Sequence, residues 1–345
     1  MINMKCVEIV DRKELAVKEM AEPIKSDKVI IEVKKAGICG SDIHNWEVGS
    51  PVGLVMGHEF SGVVTDVGNR EDLKVGDRVT ALPISPCGKC EACLTGNHQY
   101  CPETWTHATG LALDNPGAYA QKCALHSDLV VKLPDNVSFE EGAMVEPVAV
   151  GLHAIHLADI KVGETVLVVG GGIIGLTSAM FAKMEGAKYV AVSETNPKRG
   201  QKAVDLGVAD AWFDATDPNF LANLSNASNG GFDKVIECCG NSPAVTSSIM
   251  AAKVGGLVVL VGVATSAITV PITVAVMREL SLKGAIAYTI EEFKTCVDLI
   301  SKGQIDVKKF ISKTIPLEQT QEAFETLTSG TNEEIKILID PNDSK

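Results

Sequence analysis

The chain has 345 residues, 46% of them hydrophobic and 22% charged, with a formal net charge of −13. A single core rarely grows beyond about 250–300 residues, so two domains are expected. The acidic balance argues against a duplex nucleic-acid partner, whose binding is driven by clustered Lys and Arg.

Residues 1–150 carry short strand-like runs broken by Gly, Pro and Asp, such as 28–34 and 59–67. Residues 151–286 instead alternate apolar strand-like runs (165–169, 189–193, 234–237, 257–261, 281–287) with helical stretches around 173–184, 197–206 and 243–252. That alternation predicts a parallel sheet covered by helices, an α/β class. The tail predicts a helix near 291–302 and a last apolar strand at 335–339. Residues 254–277 carry no charged side chain and are long enough to span a bilayer. Their glycines, Pro271 and β-branched residues favour buried strands joined by a loop instead. Nothing at the N-terminus reads as a secretory leader, and a cytoplasmic protein is the expectation.

Four cysteines fall within one short stretch: Cys87, Cys90, Cys93 and Cys101, spaced C-x2-C-x2-C-x7-C. Four thiolates with no open position suit a structural, tetrahedral zinc. Disulfides compete poorly in a reducing compartment, and the spacing fits neither usual ferredoxin pattern. Only Lys89 supplies a full positive charge over 87–105, which a zinc-ribbon DNA reader would not tolerate.

The 165–169 strand runs into Gly170-Gly171-Gly172-Ile173-Ile174-Gly175, a G-x-G-x-x-G that opens a helix. Glycines let the backbone approach a pyrophosphate, and the helix N-terminus supplies free N–H groups. Alone the hexapeptide is weak. Here the next strand ends in Glu194, nineteen residues after Gly175. A carboxylate there accepts from ribose hydroxyls and repels a 2′-phosphate, favouring NAD over NADP. Its bland alternative is a solvated capping acid. Arg199 could lie over the adenine or soften the discrimination against NADP.

Upstream lie Gly37-Ile38-Cys39-Gly40-Ser41-Asp42-Ile43-His44 and Gly57-His58-Glu59; downstream lies Met144-Val145-Glu146-Pro147. Cys39, His58 and a carboxylate could hold a zinc with one position open. Singly these residues are unremarkable, since an isolated Cys is more often core.

In this order, with the four-cysteine lobe, Gly76-Asp77-Arg78-Val79 and the Gly170–Gly175 turn, the chain resembles the zinc-dependent medium-chain alcohol dehydrogenase superfamily. Val145-Glu146-Pro147 looks like its polyol, butanediol and threonine dehydrogenase branch. The resemblance implies a GroES-like catalytic domain over 1–150, a Rossmann domain over 151–286 and a C-terminal return over 287–345. It implies two zincs per chain, a nicotinamide dinucleotide, a small alcohol or ketone substrate, and a dimer or tetramer of identical chains. Cys39 and His58 would be ligands, Glu59 and Glu146 ligands directly or through water. Ser41 and His44 would relay the alcohol proton, against the bland readings of a turn serine and a half-exposed loop histidine. Gly262 and Ala285-Ile286-Ala287 would join Gly170, Gly172, Ile173, Ile174, Gly175, Glu194 and Arg199 around the cofactor. Zinc would stabilise an alkoxide, and hydride would pass to the nicotinamide.

Two positions depart from sorbitol dehydrogenases, where a Tyr and an Arg are usual: here they are Asn45 and Ala287. Residues 284–288 look more like butanediol dehydrogenases, and Thr106-His107-Ala108-Thr109 is unusual. A threonine-type or formaldehyde-type dehydrogenase is the rival within the enzyme class. A zinc-less quinone reductase would lack the cysteines, and a non-catalytic NAD-binding protein would not need both metal sets.

Overall fold

The computed structural model describes residues 2–343. The chain divides into two compact units, Met1–Glu146 with Tyr288–Lys345, and Pro147–Ala287.

In the first unit, the strands Ile311–Pro316, Lys336–Asp340, Val29–Gly37, Glu59–Asp66, Arg78–Ala81 and Val130–Lys132 lie side by side in that order. Lys122–Leu125 adds to Val29–Gly37 as well, and Asn3–Asp11 with Glu14–Ala21 forms a separate hairpin. The central strand forms because Val29, Ile31 and Val33 are β-branched and are fully buried in the core. Each such side chain stabilises the fold by about 1.5–3 kcal/mol. Two pairings place the chemistry. Gly37 opposes Glu59, and Leu338 opposes Gly37 from the other side. Residues far apart in sequence thus meet at one strand end, where the chain turns into the helix Gly40–Val48.

The second unit is a six-stranded parallel sheet ordered Ala211–Asp214, Tyr189–Glu194, Thr165–Val169, Phe232–Glu237, Ala252–Leu260, Ser281–Gly284. Thr165–Val169 is buried along its whole length, as a strand covered on both faces must be. The helices Ile173–Met184, Pro197–Asp205 and Ser242–Ala251 follow their strands, the last two with an Asn side chain capping the first turn.

Two expectations need correction. Residues 254–277 are not two buried strands: Ala252–Leu260 is a strand with Lys253, Val254 and Gly255 exposed, and Ile272–Met277 is a short helix. Pro271 starts that helix, its carbonyl accepting from the N–H of Val274 at 2.9 Å. The strand expected over 281–287 ends at Gly284. A twenty-residue helix, Phe139–Ala158, lies where the sequence predicts no element. Pro147 lies inside it, a residue that normally ends a helix. The division between the units at 146/147 falls within this helix, four residues before the expected boundary. Among the described residues no helix is long and apolar enough to cross a membrane.

Candidate active site

The site is built at the end of Val29–Gly37. Cys39 is the N-cap of Gly40–Val48, in extended conformation, and its backbone N–H donates to Asp42 Oδ2 at 3.0 Å. The first turn of the helix therefore fixes Cys39, Ser41 and Asp42 together. His58 and Glu59 enter from the neighbouring strand. Gly37 makes room for Glu59, since a Cβ there would collide with its carboxylate. Sγ of Cys39, a ring nitrogen of His58 and a carboxylate oxygen of Glu59 lie within 4.8 Å of one another.

The electrostatics suit a cation. Asp42 is fully buried, with Oδ1 3.4 Å from Nδ1 of His58. Neither atom has another hydrogen-bond partner. The two are matched if Nδ1 carries the proton, which leaves the Nε2 lone pair free for a metal. Burial alone would lower the His58 pKa, but Asp42 and Cys39 outweigh it and hold the imidazole well above its ordinary value. A metal would take the place of the proton that this negative pocket attracts. Ser41 Oγ sits 3.3 Å from Cys39 Sγ and 3.4 Å from His58 Nε2, beside the same point.

Lys336 was not foreseen from sequence. It is 1% exposed, and its Nζ donates to both oxygens of Glu59, at 2.7 and 2.5 Å, and to the Ile38 carbonyl at 2.8 Å. Glu59 is thus a candidate ligand already neutralised by an ammonium. Glu146 stands outside the group of three. It is buried, its Oε1 accepts from the Tyr288 hydroxyl at 2.9 Å, and burial pushes its pKa up to about 7 while His58 opposes the rise. Tyr288 was also missed as a site residue. His44 is half-buried on the Gly40–Val48 helix and makes no hydrogen bond to Ser41 or His58 among the described residues. His107 pairs with Asp114 on an exposed loop.

The four cysteines converge: their sulfurs lie within 4.8 Å of one another, Cys93 and Cys101 buried. Cys101 Sγ accepts the N–H of Cys87 at 3.3 Å and of Glu103 at 3.4 Å. Those donors outweigh burial and pull it down to about 6, whereas burial and the Cys90 thiol push Cys93 up to about 12. Four sulfurs converging on one point fit a divalent cation that compensates all four thiolates.

In the second unit, a cavity of about 820 Å³ is lined by Gly170, Gly172, Ser193, Glu194, Arg199 and Cys239, among others. Gly170 adopts φ +108°, and a Cβ there would run into Cys239 Sγ at 2.7 Å. A Cβ on Gly175 would collide with the Gly170 carbonyl. Ile173 and Ile174 form the first helical turn. Glu194 is not a solvated capping acid: it is 6% exposed. Its Oε2 accepts the Gly171 N–H at 2.8 Å, and its Oε1 accepts from Asn196 N–H and Arg199 Nη2, each at 3.0 Å. Burial would raise its pKa, yet Arg199 and those N–H groups hold it below the usual carboxylate range. Gly262 donates its N–H to the Glu237 carbonyl at 3.0 Å, Ala285 to that of Leu260 at 2.9 Å, and Ala287 has φ +49°. Ile286 is exposed.

Residues 25–135 match the family described as alcohol dehydrogenase GroES-like domain, and residues 174–302 that described as zinc-binding dehydrogenase. The chain belongs to the zinc-dependent medium-chain alcohol dehydrogenase superfamily, in its polyol branch. It is 36% identical over 324 residues to the protein of Aspergillus clavatus named "Probable D-xylulose reductase A", covering 90% of this chain and 88% of that one. It is 34% identical over 328 residues to the sorbitol dehydrogenase of Homo sapiens, covering 92% and 90%. Among solved structures it resembles 2R,3R-butanediol dehydrogenase from Bacillus subtilis, with a TM-score of 0.86 and 31% identity over 98% of this chain and 100% of that one. The superfamily members are zinc-dependent dehydrogenases, and this chain is such an enzyme. The α/β fold with a GroES-like domain and a parallel Rossmann sheet agrees with the sequence reading.

Proposed function

We propose that the protein interconverts a small secondary alcohol, a vicinal diol or sugar alcohol, and its ketone, with NAD in preference to NADP and two zincs per chain. The observation that carries this reading is the Cys39, His58 and Glu59 group, half-buried at Cys39 and buried at the other two, with the Ser41 hydroxyl beside it. Cys39 and His58 would hold the catalytic metal, with Glu59 as a third ligand when Lys336 releases it; the four cysteines would hold the other. Bound zinc supplies a Lewis acid for an alcohol oxygen, and bound NAD supplies the hydride acceptor.

The remaining work falls to side chains. Ser41 Oγ stands where it can accept the alcohol proton and pass it on, towards His44 and solvent. Glu146 and Tyr288 form a ready hydrogen-bonding pair for a second hydroxyl beside the reacting one. That pair favours a diol over a simple alcohol, because a buried polar pair left unmatched by its substrate is costly. Glu194 would face a 2′-phosphate, and its ionised state is supported by Arg199 and three backbone N–H groups. A homodimer is supported by the outer strand Ser281–Gly284, all four residues exposed, flanked by exposed Val276, Met277 and Ile286. Unpaired edges of this kind are normally covered.

The test is kcat/KM for matched pairs, a secondary monoalcohol against its 2,3-diol, each with NAD and NADP. A preference for the diol of at least about a hundredfold is expected. Faster turnover of ethanol or a hydroxy amino acid would remove the diol assignment while leaving the metal and cofactor chemistry in place.

A further inference from the structure

Tyr119 lies outside every motif of the sequence, yet its hydroxyl reaches the carboxylate behind His58. It is fully buried and donates to Asp42 Oδ2 at 2.7 Å, with the Gly37 carbonyl at 3.2 Å. The same Asp42 oxygen accepts the Cys39 N–H, and the other oxygen faces His58 Nδ1 at 3.4 Å. Two donors on one oxygen fix the plane of the carboxylate. That plane decides whether the second oxygen points at the imidazole.

The ring itself has little freedom. Gly57, immediately before His58, has φ +98°, and a Cβ there would meet the Tyr119 ring at 2.6 Å. The Tyr119 N–H donates to the Met56 carbonyl at 2.9 Å, and Phe324 packs edge-on with ring centroids 6.3 Å apart. Tyr119 therefore holds the backbone leading into His58 with its ring and the carboxylate behind His58 with its hydroxyl.

We propose that Tyr119 is a positioning residue for the catalytic metal: its hydroxyl aims Asp42 at His58 Nδ1 and so sets the tautomer and direction of the Nε2 lone pair. The inference rests on the reading of Cys39, His58 and Glu59 as metal ligands. Outer hydrogen-bond partners of a metal-bound histidine typically account for 10- to 100-fold in metal affinity. Tyr119 acts one bond further out, so a loss of about tenfold is expected.

The experiment compares wild type, Tyr119→Phe, Asp42→Asn, the double variant and Phe324→Leu. Each is loaded with Co2+ as the probe, and chelator competition and visible absorption separate the two metals. The expected result is two metals in wild type, with the histidine-containing site weakened about tenfold in Tyr119→Phe and its ligand-field bands shifted. The thiolate bands of the four-cysteine site should stay unchanged. In the Asp42→Asn background, removing the hydroxyl should cost no further affinity, because it acts through that carboxylate. Phe324→Leu, which loosens the ring's packing without touching the hydrogen bonds, should lower stability and leave the metal affinity alone. Equal affinity in wild type and Tyr119→Phe, or equal losses in Tyr119→Phe and Phe324→Leu, would reduce Tyr119 to core packing. So would failure of Tyr119→Phe to fold. A single metal in wild type would instead overturn the reading of the site itself.

Discussion

The two candidate metal sites of the first unit are built on opposite plans. The four-cysteine lobe draws every sulfur from residues 87–101, and its stabilising contacts are local: sulfur to sulfur, and the N–H groups of Cys87 and Glu103 to Cys101. The Cys39 pocket takes its candidate ligands from positions 39 to 59, and its support from Asp42, Tyr119 and Lys336. Tight turns suffice for the first. The second needs the whole sheet, because only the pairing of Lys336–Asp340 with Val29–Gly37 brings an ammonium to Glu59. A site whose charges are already matched by the protein can wait for its metal in a finished shape. A site made only of thiols cannot.

That contrast is tested most severely by His58→Ala. It should remove one metal of two and lower kcat/KM by about a thousandfold or more, since Lewis-acid assistance is worth several kcal/mol. The thermal midpoint should change little compared with the activity. Metal content, turnover and calorimetry on one preparation check all three. Retention of both metals would place the catalytic ion elsewhere.

Lys336→Met is the next largest effect, and its sign depends on the metal. Without metal, it leaves Glu59 as a fully buried carboxylate with no cation, a loss of about 3–5 kcal/mol. With zinc bound, the ion itself can compensate Glu59 and most of that loss should disappear. Denaturant unfolding with and without added zinc measures the difference. Equal losses in both states would mean that Glu59 never turns to the metal. Cys93→Ser makes the converse cut: the lobe should lose its metal and the thermal midpoint fall by about 5–10 °C. Turnover per folded molecule should be nearly unchanged.

The same contrast explains what could be read from the sequence. The lobe was visible because its chemistry and its geometry share one short stretch. The Gly170–Gly175 turn was visible for the same reason, with a buried strand before it and Glu194 closing the next. Cys39, His58 and Glu59 emerged because each sits in a short motif, and the structure brings them together. Their supports did not. Lys336 reads as an ordinary surface lysine at the start of an apolar strand, and nothing local reveals that its register points it at a carboxylate 277 positions away. Tyr119 stands in a Gly-Ala-Tyr-Ala stretch without charge or periodicity. Tyr288 was noticed only as part of a specificity stretch, although its hydroxyl meets Glu146 across 142 positions. The helix Phe139–Ala158 was hidden by Pro147, which normally ends one.

The smallest expected effect concerns Glu146, whose carboxyl the fold holds at about 7 instead of the ordinary 4.5. Burial is the main cause, and His58, Lys336 and the Tyr288 hydroxyl all oppose it. An acid whose pKa is raised by folding binds its proton more tightly in the native state. Its contribution to stability is therefore complete below about 4.5 and is lost as pH rises through about 7. In metal-free protein, stability should decline across that window, and Glu146→Gln should remove this part of the slope. Tyr288→Phe sharpens the point. It deletes a donor that favours the ionised form, so the upper end of the decline should move to higher pH by less than about one unit. Urea midpoints measured at half-unit steps in the presence of chelator follow both variants against wild type. Movement to lower pH in Tyr288→Phe would mean that the hydroxyl oxygen accepts a hydrogen bond from a neutral Glu146 instead of donating one to its charge. In that case Glu146 would approach a substrate as a donor, and the second hydroxyl of a diol would have to accept.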